Sequence, residues 1–170
     1  MKIRPAQFSS DLDAIVGLNR EYLTWATGRL LEEFQQVMPV PDDAEAAGQL
    51  RKFDGPDAAL LVIEHEDDLI GMGGLRTLAP GVVEVKRMYV RPGHQGQCVG
   101  SALFDALLGT AVDELGAATL RLDSCRFMAQ AQRLYERRGF VERDPYEGTE
   151  IPGDLQKYWR FYERGDIAQG

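Results

Sequence analysis

From Glu84 to Ser101 the chain reads Glu-Val-Lys-Arg-Met-Tyr-Val-Arg-Pro-Gly-His-Gln-Gly-Gln-Cys-Val-Gly-Ser. Val82–Val90 has the make-up of a strand, and Gly93–Gly100 is a glycine-bearing loop. Leu103, Leu107, Leu108, Ala111, Val112 and Leu115 then recur at helical spacing up to Gly116. A strand that runs through a small-residue loop straight into a helix leaves the first helical N–H groups without acceptors. Gly96, Cys98, Gly100 and Ser101 are small enough for an anion to reach those groups, so a pyrophosphate is the expected guest. A Walker loop is excluded, because no lysine stands beside Gly100-Ser101. Gly96 and Gly100 also lack the GxGxxG spacing of a dinucleotide fingerprint. A loop that merely turns the chain is the alternative at this point.

Around this junction the hydrophobic period changes several times. Ile3–Ala6 is short and extended, and Ser9-Ser10-Asp11 offers N-cap oxygens to a helix carried by Leu12, Ile15, Val16 and Leu18. Helical spacing resumes from Glu21 to Met38 with a break near Thr27-Gly28, which predicts two helices, the second stopped by Pro39 and Pro41. A short helix over Ala44–Phe53 and a turn at Asp54–Asp57 follow. Ala58–Glu66 and Leu69–Leu78 read as strands joined by a hairpin turn at Asp67-Asp68. After Gly116, Thr119–Asp123 is a strand. Met128, Ala131, Leu134, Tyr135 and Arg138 mark one helical face closed by Gly139, and Phe140–Asp144 and Lys157–Glu163 are two further strands. The order is that of an α/β fold, a mixed sheet of about seven strands with helices on both faces, in a single domain over residues 1–164. Residues 165–170 are expected to form a flexible tail.

Composition narrows the function. The net charge of −8 disfavours nucleic-acid binding. No apolar run approaches the roughly 20 residues that span a bilayer, and no apolar stretch behind Met1-Lys2-Ile3-Arg4-Pro5 suggests a secretory signal. Cytoplasmic residence without membrane association is the expectation. Two cysteines and two histidines, with no metal-ligand spacing, predict neither a disulfide framework nor a metal. Residues 1–85 hold 7 Lys/Arg against 15 Asp/Glu, whereas residues 86–170 hold 12 of each. An acidic first half suits a cationic substrate and an arginine-rich second half an anionic cofactor, although acids that only solubilise the surface would look the same.

Two segments carry a resemblance. Gln95, Cys98 and Gly100 stand at the defining places of the loop Gln/Arg-x-x-Gly-x-Gly/Ala. Thirty-one residues after Gly100 begins Ala131-Gln132-Arg133-Leu134-Tyr135-Glu136-Arg137-Arg138-Gly139-Phe140, similar to Ala-x-x-Leu-Tyr-x-x-x-Gly-Phe. On these motifs the chain resembles the GNAT superfamily of acetyl-CoA-dependent N-acetyltransferases, across roughly residues 1–164. Val83–Arg91, Leu122-Asp123-Ser124 and the Gly-Phe-x-x-x-x-x-Tyr ending at Tyr146 are similar to one bacterial branch of it. The resemblance implies the acyl-CoA N-acyltransferase fold, a twisted, mostly antiparallel sheet with Glu84–Pro92 in its fourth strand. Cys98 stands where the family has glycine, and Met128 where it often has an asparagine that holds the cofactor arm.

The resemblance also implies roles. Backbone N–H groups across Gly96, Gln97, Cys98, Val99, Gly100 and Ser101 would cradle the pyrophosphate of acetyl-CoA, with side-chain contacts from Gln95 and Ser101. A bulge in the fourth strand would free backbone groups of Met88, Tyr89 and Val90 for the pantetheine arm and the thioester carbonyl. Met128 and Ala131 would flank that arm. Tyr135 would protonate the departing thiolate; the alternative is an aromatic packed with Met128, Ala131 and Leu134. Glu84, placed with Lys86 and Met88 on one face by the two-residue period, is the candidate general base, and a Glu84–Lys86 surface pair is the alternative. Tyr146 is a candidate acceptor contact, and one of Arg126, Arg133, Arg137 and Arg138 would meet the 3′-phosphate.

The expected activity is acetyl transfer from acetyl-CoA to a primary amine: a small cationic amine, or the lysine or N-terminus of a peptide. A non-catalytic acyl-CoA sensor is the competing reading. An acyl-enzyme mechanism through Ser124 or Cys125 ranks behind both. The face of Lys157–Glu163, read as exposed, could pair two copies across a two-fold axis.

Overall fold

The computed structural model describes residues 1–96 and 98–165. The expected tail beyond Gly165 and the contact expected of Gln97 lie outside the described residues. In chain order the elements are β1 (Lys2–Pro5), α1 (Leu12–Phe34), α2 (Asp43–Leu50), β2 (Ala58–His65), β3 (Asp68–Ala79), β4 (Val82–Val90), α3 (Val99–Asp113), β5 (Thr119–Cys125), α4 (Ala129–Arg137), β6 (Val141–Arg143) and β7 (Trp159–Arg164). They build a seven-stranded sheet in the order β1-β2-β3-β4-β5-β7-β6. β4 and β5 run parallel and the other described neighbours antiparallel, because α3 returns the chain to the end of the sheet where β4 began.

Strand alternation divides the interior into two cores. Leu61 and Ile63 of β2 face α3 and α4, together with Leu75, Val83, Leu103, Phe104, Leu107 and Tyr135. Leu60 and Val62 face the other way, toward Ile15, Val16, Leu18 and Leu50 of α1 and α2. Leu103, Phe104 and Leu107 are wholly enclosed, each contributing about 1.5–3 kcal/mol. The β3 glycines let both layers close on the sheet. A Cβ on Gly73 would sit 2.6 Å from Leu107 Cδ1, and one on Gly74 2.6 Å from Phe53.

Several expectations are corrected. α1 is one helix of 23 residues with no break at Thr27-Gly28. Thr27 Oγ1 donates to the Leu23 carbonyl at 2.7 Å, which satisfies the hydroxyl inside the helix. Gly28 costs about 1 kcal/mol relative to alanine, a deficit offset by the buried stripe Ile15, Val16, Leu18 and Leu30. The helix stops instead at Gln35, whose φ of 56° turns the following N–H, that of Gln36, back to the Leu30 carbonyl. At its start, the Asp11 carboxylate leaves the helix uncapped and accepts from the Gln7 N–H and the Arg4 guanidinium. The β2–β3 turn is Glu66-Asp67, both with positive φ, one residue ahead of the expected place. Lys157–Glu163 is not an exposed face: β7 lies between β5 and β6, and none of its residues is exposed.

Candidate active site

β4 and β5 pair only as far as Val85 and Leu122. Beyond that rung the two parallel strands part, and the residues that follow border the opening. The cause lies on the other side of β4. Gly74 pairs with Lys86 but Met72 pairs with Tyr89, so Gly73 faces two residues, Arg87 and Met88. This bulge bends β4 away from β5. Arg87 takes a φ of 56° there, and its guanidinium is held by Asn19 Oδ1 at 2.7 Å and Gln49 Oε1 at 3.2 Å.

The bulge resets the alternation of the strand. Met88 packs with the α3 core and Tyr89 with the α1 core, so Met88 does not share a face with Glu84 and Lys86 as a strict two-residue period requires. Met88 turns toward the start of α3, its Cε 3.9 Å from where a Cβ on Gly100 would stand. Met88, Tyr89 and Val90 carry no pairing to β5, although the Val90 carbonyl accepts from Gln95 Nε2 at 2.8 Å. That bond turns the Gln95 side chain back onto the strand.

The loop reaches α3 through Gly96 at φ 90° and Cys98 at φ 60°. Cys98 is therefore in the left-handed region that a glycine would occupy without strain. The first bond of the helix runs from the Ala102 N–H to the Cys98 carbonyl, leaving the N–H groups of Val99, Gly100 and Ser101 without intrahelical acceptors. Arg138, at the end of α4, donates to Ser101 Oγ at 2.6 Å and pairs with Asp105. Among the four arginines near the second motif, it is the one tied to this helix start. Three free N–H groups, a small Gly100 and an arginine fit a pyrophosphate, and the unpaired β4 backbone fits an extended arm.

Met128 is the N-cap residue of α4, whose Ala131 packs at the margin of the α3 core. Tyr135 is buried against Phe104, Phe140 and Tyr162. Burial, then the neighbouring Tyr22 and the Asp123 charge, push its phenol well above the usual range, so it stays a protonated donor through neutral pH. Glu84 is completely buried rather than a surface carboxylate. Its Oε1 accepts from Tyr146 at 2.7 Å and its Oε2 from Arg76 Nε at 2.5 Å. Cys125 is also buried, its thiol directed to the Tyr158 carbonyl and pushed up to about 11 by burial. It is a poor nucleophile at neutral pH.

The sequence profile of the Acetyltransferase (GNAT) family matches residues 25–140. The chain belongs to the GNAT family of acetyltransferases. A curated relative, an uncharacterized N-acetyltransferase of Schizosaccharomyces pombe, is 30% identical over 155 residues, 89% of this chain and 90% of its own length. Among solved structures, an N-acetyltransferase from Thermoplasma acidophilum in complex with coenzyme A superposes with a TM-score of 0.70 at 18% identity, covering 96% of this chain and 98% of that one. A spermidine N-acetyltransferase from Vibrio cholerae gives 0.67 at 20% identity, covering 98% and 95%. These two share the fold.

This GNAT acetyltransferase brings to the opening residues that sequence patterns passed over as site residues. Asp123 on β5, Arg76 on β3 and Glu150 after β6 meet Lys86 and Glu84 there. The signal available for Asp123 was a charged residue in the interior of a strand, which needs a partner when buried. Among the described residues, no helix is long and apolar enough to cross a membrane and no metal-binding group of His, Cys, Asp or Glu occurs.

Proposed function

We propose that the enzyme transfers an acetyl group from acetyl-CoA to the primary amine of a cationic acceptor, by direct attack with both substrates bound. The observation that carries this reading is the parting of β4 and β5 beyond Val85 and Leu122, with a group rich in carboxylates on the α1 side and a buried phenol, Tyr135, nearby. The relative that acts on spermidine, a cationic amine, supports the acceptor class by analogy of fold.

Acetyl-CoA supplies the reactive thioester. The N–H groups of Val99, Gly100 and Ser101, with Arg138, hold its pyrophosphate, and Gly96 and Cys98 belong to the loop around it. Gln95 props the loop through Val90, while Met128 and Ala131 flank the arm. Backbone groups of Met88, Tyr89 and Val90 take the arm as an added strand and polarise the carbonyl. A protonated amine must lose one proton before it attacks and a second as the amide forms. The first passes to Tyr146 as Tyr146 gives its own proton to Glu84, and it returns by the same relay to solvent at the opening once the product has left. Tyr135 donates to the departing sulfur and is reprotonated by the second.

Free-thiol release from acetyl-CoA, followed with polyamines, alkylamines, aminoglycosides and lysine peptides, tests the reading. Turnover with one class names the acceptor. An acetyl-CoA-induced rise in Tm without turnover on any of them would instead favour a sensor.

A further inference from the structure

Past the last β4–β5 rung, Val85 with Leu122, the sheet face toward α3 and α4 continues on two separate banks. On β4 the next side chain to face that way is Met88, because the bulge at Arg87 takes up one residue. On β5 it is Ser124, which follows Leu120 and Leu122 on the same face by alternation. The surroundings of Ser124 fix where it looks. Its partner on β7 is Arg160, whose guanidinium reaches Gln132 and Glu136 of α4 at 3.2 and 3.5 Å. Gln132 Nε2 in turn donates to the carbonyl of Cys125, the residue after Ser124, at 2.8 Å. Ser124 therefore lies under the face of α4 that carries Gln132 and, one turn on, Tyr135.

The hydroxyl is out of keeping with that place. Ser124 is 3% exposed, and its Oγ is one of two buried side-chain polar atoms among the described residues that have no hydrogen-bond partner. The other, Asn19 Nδ2, belongs to an amide whose oxygen already holds Arg87. Ser124 has no second polar atom so engaged, and its hydroxyl carries the desolvation cost of burial with no compensating bond. The neighbouring α4 side chains do not relieve it. Met128 and Ala131 offer no hydroxyl or amide, and both ends of the Gln132 amide are taken, by Cys125 and Arg160.

We propose that Ser124 is a cofactor-contacting residue, whose hydroxyl bonds an amide of the pantetheine arm from the β5 bank while the Met88–Val90 backbone holds the arm from β4. The inference rests on the acetyl-CoA reading and adds the second bank of that site. The arm carries two amides, and a strand-like arm laid along β4 turns part of its N–H and C=O groups away from β4. Those groups need partners once the arm has displaced water from the opening. A serine hydroxyl suits either kind, since it donates one hydrogen bond and accepts others. The bond falls near the reacting end of the arm, because the same face of α4 presents Tyr135, the proposed donor to the sulfur. No covalent step is assigned to Ser124: among the described residues no base accepts from its hydroxyl.

The test compares the intact enzyme with Ser124→Ala by calorimetry and thermal melts, using CoA and 3′-phospho-ADP, which is CoA without its arm. Because Oγ has no partner in the free protein, free Ser124→Ala should melt at or above the wild-type temperature. Its Kd for CoA should rise about three- to tenfold, the loss of one hydrogen bond, and the CoA-induced rise in Tm should shrink to match. Its Kd for 3′-phospho-ADP should equal that of wild type. A free variant that melts lower and binds CoA as wild type does would give the hydroxyl a role in the fold alone and overturn the proposal. Equal losses for CoA and 3′-phospho-ADP overturn it as well, since the damage would then lie at the phosphate loop. Ser124→Cys, kept reduced, separates bonding from shape. Its S–H is a weak donor, so it should weaken CoA binding as alanine does, and wild-type affinity there overturns the hydrogen bond. If wild type itself binds no CoA, the acetyl-CoA reading fails and takes the inference with it. If wild type binds CoA and Ser124→Ala binds it equally well, the inference alone fails.

Discussion

Lys86 Nζ lies 3.1 Å from Asp123 Oδ2, one residue past the point where β4 and β5 cease to pair. Backbone hydrogen bonds hold the two strands together up to Val85 and Leu122, and this ion pair spans them beyond. Burial pulls the Lys86 pKa down, but the charges of Asp123, Glu84 and Glu150 outweigh it and leave the amine higher than usual. The mouth of the opening is therefore bridged by an ion pair rather than by a ladder rung.

Tyr135→Phe removes one hydroxyl from a packed aromatic group. We expect kcat to fall about 10²-fold, the loss of a general acid, with the CoA-induced rise in Tm unchanged. Steady-state kinetics beside thermal melts check this, and unchanged kcat would return Tyr135 to a packing role.

At Gly71 an added Cβ would lie 2.8 Å from the Tyr89 carbonyl and 2.9 Å from Ile63 Cδ1. Gly71→Ala therefore has to displace β4 at the segment proposed to hold the cofactor arm. We expect a loss of about 1–3 kcal/mol in urea unfolding and, in the variant that still folds, weaker CoA binding by calorimetry. Gly28→Ala, at an open helical position, should show neither effect.

The Arg4 hydrogen bond is the main cause of a lowered Asp11 pKa, with a further contribution from the Gln7 N–H. Because the folded value lies below the unfolded one, the stabilisation is complete above the unfolded pKa of about 3.9 and is lost as pH falls through the folded value. Asp11→Asn should cost about 1 kcal/mol at pH 7. That cost should shrink below about pH 3.9, as wild type loses its own ion pair. Urea unfolding of both proteins from pH 7 down to pH 3 measures the difference, and a gap that stays constant would contradict it.

The two thiols should separate by reactivity. Cys98 is exposed and Cys125 buried, with the latter pushed up to about 11. Iodoacetamide at pH 8 should label Cys98 alone in the folded enzyme and both cysteines in denaturant. Intact mass and peptide mapping read the result.

Local patterning carried much of the architecture. The β4 boundaries, the amphipathic α3 and the Gly139 stop follow from apolar spacing and turn chemistry within a few residues of chain, and both family motifs are contiguous segments. The loop proposed to hold the pyrophosphate, and Tyr135, were legible for that reason. Where local signals competed with packing they misled, as at Gly28, whose helical penalty is outweighed by a buried stripe that extends along α1 on both sides of it. Asp11 likewise looked like a cap until Arg4 was near enough to claim it.

The sequence by itself determined the family, the order of the elements and the loop proposed to receive the cofactor, since each depends on residues adjacent in the chain. Only the tertiary structure decided which face each β4 side chain meets, because one extra residue at Arg87 reverses the alternation and that residue is defined by pairing with β3. It also decided the cluster of charges at the opening. Lys86, Asp123, Glu150, Arg76 and Glu84 come from separate parts of the chain, and their charges meet only after the sheet has brought them together.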